Sequence, residues 1–158
     1  MSPQSDGAST PVRTIAQRVR ELRGRRGWTA AQLGKQLAEQ GVRWDRFTVA
    51  GLESGKRQNV SVVEFLALAS ALDVAPVHLL VPLDSEPYEV TPQRVESADD
   101  VRAWVRGEKP LPGTATERAR TFYAEVSTAD IQRRGHIYPL GTAYETDTAR
   151  DLGERDDG

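Results

Sequence analysis

The sequence predicts an all-α fold in which five short helices between residues 12 and 83 form one head, followed by a smaller, mostly helical C-terminal segment and an acidic tail. Three observations carry that expectation. Apolar residues recur at helical spacing in successive segments, capping residues such as Thr29, Asp45 and Ser61 stand in front of them, and glycine or proline stands behind them.

Residues 1–11 are rich in Ser, Gly and Pro and read as disordered. From Thr14 onward, Ile15, Val19 and Leu22 share one helical face with arginines on the others, and Gly24 and Gly27 close this first helix before Trp28. Thr29 caps a second helix whose buried stripe is Leu33 and Leu37 and which ends near Gln40-Gly41. Asp45 caps a third, with Val49 and Leu52 pointing inward and Gly55 as its stop. Ser61, with Glu64 three residues on, reads as the capping box of a fourth helix carrying Phe65, Leu66, Leu68, Ala69 and Leu72. Pro76 opens a short fifth helix through Leu80, and Pro82 stops it. The apolar residues of these five segments are the expected core.

Residues 84–96 read as a linker, with Tyr88-Glu89-Val90 as a short extended piece. Ser97 and Asp100 suit the start of a helix carrying Val101, Trp104 and Val105, which Pro110 and Pro112 break. Thr116 to about Gln132 reads as a further helix with Phe122, Tyr123 and Val126, so that 97–134 forms the C-terminal helical segment. Residues 135–158 read as a largely disordered acidic tail. No internal repeat is present.

Composition narrows the chemistry. The 158 residues contain no cysteine, which excludes disulfides and thiolate metal sites. The two histidines, His78 and His136, have no partner at ligand spacing, which argues against a zinc site or a histidine-based catalytic site. The start of the chain has neither the basic flank nor the apolar run of a secretory signal, and no stretch reaches the length of a bilayer span, so a cytoplasmic protein is expected. The net charge of −2 hides an asymmetry: residues 1–60 hold eleven Lys and Arg against five Asp and Glu, and residues 61–158 hold ten against eighteen. Phosphate neutralisation depends on local charge, so a basic head before an acidic body suits a nucleic-acid-facing N-terminal half.

Thr29 to Arg57 sets two apolar-periodic segments around a glycine-containing connection and ends in Glu53-Ser54-Gly55-Lys56-Arg57, the layout of a helix-turn-helix. Leu22-Arg23, Gly27-Trp28-Thr29, Leu33, Leu37, Val49, Leu52 through Arg57, and Leu68 through Val74 together resemble the XRE/Cro-like helix-turn-helix family of phage and bacterial repressors over roughly residues 13–82. The resemblance implies a homodimer that reads a palindromic operator in double-stranded DNA, with no cofactor.

In that family the exposed positions of the third helix approach base edges, and here they are Arg46, Phe47, Thr48 and Gly51. Arg46 suits a guanine through two hydrogen bonds, while Phe47 suits either a thymine methyl or packing on the second helix or a dimer partner. Gly51 contributes no side chain. The connection from Glu39 to Asp45 is about five residues longer than the tight turn typical of these motifs, as in a variant found in actinobacterial regulators. Arg43 thereby becomes a candidate phosphate donor, and Trp44 either an indole N–H donor to the DNA backbone or a core anchor for the longer loop. Many relatives carry a backbone-bonding glutamine where this chain has Ala30; Gln32, two residues on, is the nearest candidate. Lys56 and Arg57 follow the third helix toward the phosphate ridge or serve as simple surface charge. Arg23 and Glu53 match positions that pair across helices 1 and 3, which makes them a structural pair orienting the reading helix.

Other motifs fail. Gly51 to Arg57 has one residue too few between its glycines for a phosphate-binding loop, with Arg57 where a metal-binding hydroxyl is needed. Ser54 has no adjacent base. The expected function is therefore a non-enzymatic, sequence-specific transcriptional regulator, a homodimeric repressor. The C-terminal segment 97–134, through Trp104, Phe122, Tyr123 and Val126, is expected to serve self-association of that dimer; the rival is an antitoxin-like interaction protein in which the same residues capture a protein partner.

Overall fold

The computed structural model describes residues 7–125. Expectations that fall on 1–6 and 126–158, including Val126 and the acidic tail, lie outside the described residues. In chain order the elements are α1 (Pro11–Arg25), α2 (Ala30–Glu39), α3 (Arg46–Glu53), α4 (Val62–Ala71), α5 (Pro76–Leu80), β1 (Pro87–Thr91), β2 (Arg94–Ser97), α6 (Ala98–Val105) and α7 (Thr116–Ala124).

Caps set most helix starts. α1 begins three residues before Thr14, within the stretch expected to be disordered. The Thr10 hydroxyl accepts the Arg13 N–H at 3.4 Å, and Pro11 takes the first helical position, where its missing N–H is not needed. Thr29 and Gln32 form a reciprocal capping box on α2, and Ser61 and Glu64 form another on α4. The Asp45 carboxylate accepts both the N–H of Thr48, at 2.7 Å, and its hydroxyl, at 2.8 Å.

The inward faces of α1 to α5 meet in one core built on Ile15, Val19, Leu33, Leu37, Val49, Leu52, Leu68, Leu72 and Leu79. Leu66, expected inside, is half exposed, because it shares the outer face of α4 with Val62 and Val63. The longer α2–α3 connection adds Val42 and Trp44 to the core, which pulls its backbone down onto α2. Gly34 makes that approach possible: a Cβ at this position would stand 2.7 Å from the Trp44 carbonyl oxygen. Alanine is the better helix former by about 1 kcal/mol. A backbone oxygen cannot retreat without dragging the Trp44 ring, however, so Gly34→Ala is expected to destabilise by about 1–3 kcal/mol in thermal or urea unfolding. A variant at least as stable as the parent would show that the loop can back away freely.

The all-α expectation needs correcting between residues 84 and 97. Where a linker was expected, β1 and β2 form an antiparallel hairpin pairing Tyr88 with Glu96 and Glu89 with Val95. The Tyr88 ring is buried, and its hydroxyl donates to the Leu80 carbonyl at 2.6 Å. On the other side of β1, Ser9 forms a parallel bridge, donating its N–H to Pro87 and accepting that of Glu89. Val81, Tyr88, Ala98, Val101 and Leu111 close a second apolar cluster, against which Val77, Leu80 and Val90 pack. Ser97 caps α6 as expected, its hydroxyl oxygen accepting the Asp100 N–H at 3.2 Å. The hairpin and α6 thus belong to the same compact unit as the five helices, which runs through Thr114. Residues 115–158 form a second unit whose described part is α7, where the Phe122 and Tyr123 rings meet edge to face.

Candidate nucleic-acid interface

α3 is an eight-residue helix that buries Val49 and Leu52, turns Glu53 toward α1 and leaves most of its other side chains outward. Arg46, Phe47 and Ala50 are exposed along one stripe, with Thr48 and Gly51 at its margins. The Arg46 guanidinium lies over the Phe47 ring, 4.5 Å from its centroid, so the two side chains form one projecting unit. Phe47 is 68 % exposed, which removes packing on α2 as its role within this chain. Space beside Gly51 is open, and with Ala50 it leaves a low strip one turn beyond Arg46. Such a surface lets a helix axis come close to a groove floor. Ala50 did not stand out in the sequence; its spacing of four from Arg46 is the signal for it.

Asp45 fixes the first turn. Hydrogen bonds from the Thr48 N–H and hydroxyl hold its carboxyl below the usual range, so the cap stays ionised. Thr48 therefore has its hydroxyl proton committed to Asp45 rather than free for a base. The Gln32 side-chain oxygen accepts the Thr29 N–H at 2.7 Å, a bond that does not occupy its amide N–H donors.

Of the two readings open for Trp44 the structure shows the core anchor, and Arg57 pairs within the protein. Trp44 is 6 % exposed and donates its indole N–H to Glu64 at 2.9 Å, so it anchors the loop in the core and has no donor left for a phosphate. Arg57 stacks on the Trp44 ring at 4.5 Å, donates to Glu64 at 2.5 Å and also reaches the Asn59 carbonyl at 2.8 Å. Its charge is thus paired with Glu64, on a side chain that remains 30 % exposed. Burial pushes the Glu64 carboxyl up, but hydrogen bonds from Ser61, Trp44 and Arg57 outweigh it and bring the pKa down to about 2.

Arg23 and Glu53 form a bidentate pair at 2.7 and 2.8 Å, and the third arm of the guanidinium donates to the Trp28 carbonyl at 2.6 Å. Hydrogen bonding to Glu53 raises the Arg23 pKa further. The last turn of α3 is thereby bolted to α1, where sequence reasoning placed this pair.

The cations divide by position. In residues 61–114, Arg94, Arg102, Arg106 and Lys109 each face a carboxylate. Among the described residues of the head, Arg13, Arg20, Arg25, Lys35, Arg43, Arg46 and Lys56 are exposed and in no ion pair, whereas Arg18, Arg23, Arg26 and Arg57 are paired. Arg43 and Lys56 flank the two ends of α3. Arg13 and Arg20, with Gln17, Ser54 and Gln58, line an open groove of about 450 Å³ between α1 and the turn after α3.

Residues 14–81 match the family model of a helix-turn-helix domain. Among solved structures, the chain is similar to the restriction-modification controller protein C.AhdI from Aeromonas hydrophila, at 40% sequence identity, over 43% of this chain and 94% of that one, with a TM-score of 0.37. No curated protein matches. No described helix is long and apolar enough to cross a membrane.

Proposed function

We propose that this chain, which through residues 14–81 belongs to the XRE/Cro-like helix-turn-helix family of DNA-binding regulators, is a sequence-specific homodimeric repressor without enzymatic activity. The observation that carries the reading is the segregation of unpaired cations. A head with seven exposed cations in no ion pair, among them Arg43, Arg46 and Lys56 on or next to α3 and Arg13 and Arg20 along the adjoining groove, joined to residues 61–114 whose own cations each face a carboxylate, suits phosphate binding by the head. On the head Arg46, stacked on Phe47, is the base reader, and Ala50 and Gly51 let the helix settle into the major groove. Arg43 and Lys56 hold the backbone at either end.

The two-fold part of the proposal is supported by the outer face of α4. Val62, Val63 and Leu66 are 73, 69 and 50 % exposed. A two-fold contact sets a surface against its own copy, which an uncharged strip tolerates and an arginine-rich one does not.

Selection from a random-sequence duplex pool tests the reading. The full chain is expected to enrich an inverted repeat with half-sites about one helical turn apart. On the enriched duplex, Arg46→Ala is expected to cost about 1–3 kcal/mol and relax preference at one base position. Lys56→Ala is expected to weaken binding to all sequences alike and reduce the salt slope by about one unit. Selection that enriches nothing would overturn the proposal.

A further inference from the structure

We propose that Glu64, acting through Trp44 and Arg57, is the positioning residue that sets the rotation of α3 against DNA, and so controls which sequence the protein reads rather than how strongly it binds DNA in general. This rests on the DNA-reading function proposed above.

α3 is short, and besides its inward Val49 and Leu52 its rotation is restrained by Glu53 at the last turn and by the contact of its two flanking segments with Glu64. That rotation matters for readout. A turn of about 20° moves a side-chain tip at a radius of about 6 Å by about 2 Å, enough to break a hydrogen bond to a base edge while leaving a phosphate contact within reach.

The chain segments on both sides of α3 meet the Glu64 carboxylate. On the approach, Trp44 directly precedes the Asp45 cap and donates its indole N–H to Oε1 at 2.9 Å. On the departure, Arg57 donates to the same oxygen, and its backbone N–H returns to the Gly51 carbonyl within α3 at 2.9 Å. The Arg57 guanidinium carbon also lies over the Trp44 ring, so approach and departure touch each other as well as the carboxylate. The other oxygen, Oε2, accepts the Ser61 N–H at 2.8 Å, which fixes Glu64 to the first turn of α4 and makes it a rigid post. The longer α2–α3 connection has more conformations to choose from than a tight turn, and this three-residue contact selects one. The Arg23–Glu53 pair restrains the last turn of α3 from α1, but no part of it reaches the first.

The experiment uses the full chain with a duplex enriched by the parent protein and a shuffled duplex of the same length. Glu64→Gln retains a capping-box residue on α4 but removes the charge that holds Arg57. It is expected to lower affinity for the enriched duplex tenfold or more, leave affinity for the shuffled duplex within about twofold, and preserve the salt slope. Arg57→Lys keeps the charge but loses the flat guanidinium, and the same pattern is expected. If Arg57→Lys binds the enriched duplex as the parent does, Arg57 serves as a charge toward phosphate and the proposal is overturned; this arm decides even if Glu64→Gln fails to fold. Equal losses on both duplexes would also overturn it, by showing general destabilisation. A parent that enriches no sequence would instead overturn the DNA-reading function, and this inference with it.

Discussion

Arg23→Ala is expected to lower the stability of the folded chain by about 3 kcal/mol, among the largest effects of any single polar substitution. The side chains of Arg23 and Glu53 are 19 % and 10 % exposed, so the pair is mostly out of water. Truncating the arginine removes two parallel hydrogen bonds and leaves the Glu53 carboxylate without its counter-ion. It also frees the Trp28 carbonyl, which received the third arm of the guanidinium. The residual exposure of Arg23 admits some water to the site, which places the cost nearer the lower end of the range for broken buried pairs. Thermal unfolding at neutral pH should show a drop of about 10–20 °C for a domain of this size. Arg23→Lys should fall between, since it keeps the charge but has no fork to match both carboxylate oxygens. A variant with the parent's melting temperature and no DNA binding would move this pair from scaffold to interface.

What could be read from the sequence was what local chemistry decides. Thr29, Asp45 and Ser61 cap helices because their side chains reach a backbone N–H three residues away, and Val49 and Leu52 face inward because they share one side of a helix. Thr10-Pro11 carries the same kind of local signal, but it sits in a Ser-, Gly- and Pro-rich stretch whose composition points to disorder. The roles of Trp44 and Arg57 depend on Glu64, respectively twenty and seven residues further on, and no spacing rule joins the three. Local signals thus placed α3 with Arg46 exposed on it, but no local signal shows that Trp44 and Arg57 meet at Glu64 beside it. The hairpin was missed because Thr91-Pro92-Gln93 lacks the glycine or asparagine of tight hairpin turns, and because Tyr88 is buried by residues on both sides of it in the chain.

That hairpin underlies the second large expected effect: a chain ending at Pro82 should be far less stable than one ending at Thr114, although it retains all five helices of the head. Val81 is fully buried, and Val77 and Leu80 are half-buried, under Tyr88, Ala98, Val101 and Leu111. Cutting at Pro82 returns this surface to water. It also removes the Tyr88 hydroxyl from the Leu80 carbonyl and takes β1 from Ser9, releasing the arm that precedes α1. An aromatic side chain of about 150–250 Å² buried at about 25 cal/mol per Å² contributes about 4–6 kcal/mol before allowance for a compact unfolded state. Tyr88→Ala in the full chain should accordingly cost about 3–5 kcal/mol, and Tyr88→Phe, which keeps the ring and loses its hydrogen bond, about 1 kcal/mol. Circular dichroism melts of the two shortened chains and the two variants rank these effects directly. If the chain ending at Pro82 melts within a few degrees of the one ending at Thr114, the hairpin and α6 do not support the head. If the order is as expected, α1 depends on the hairpin at its start and on Glu53 near its end, so the element that bolts α3 is itself held by the part of the chain beyond the helix-turn-helix domain.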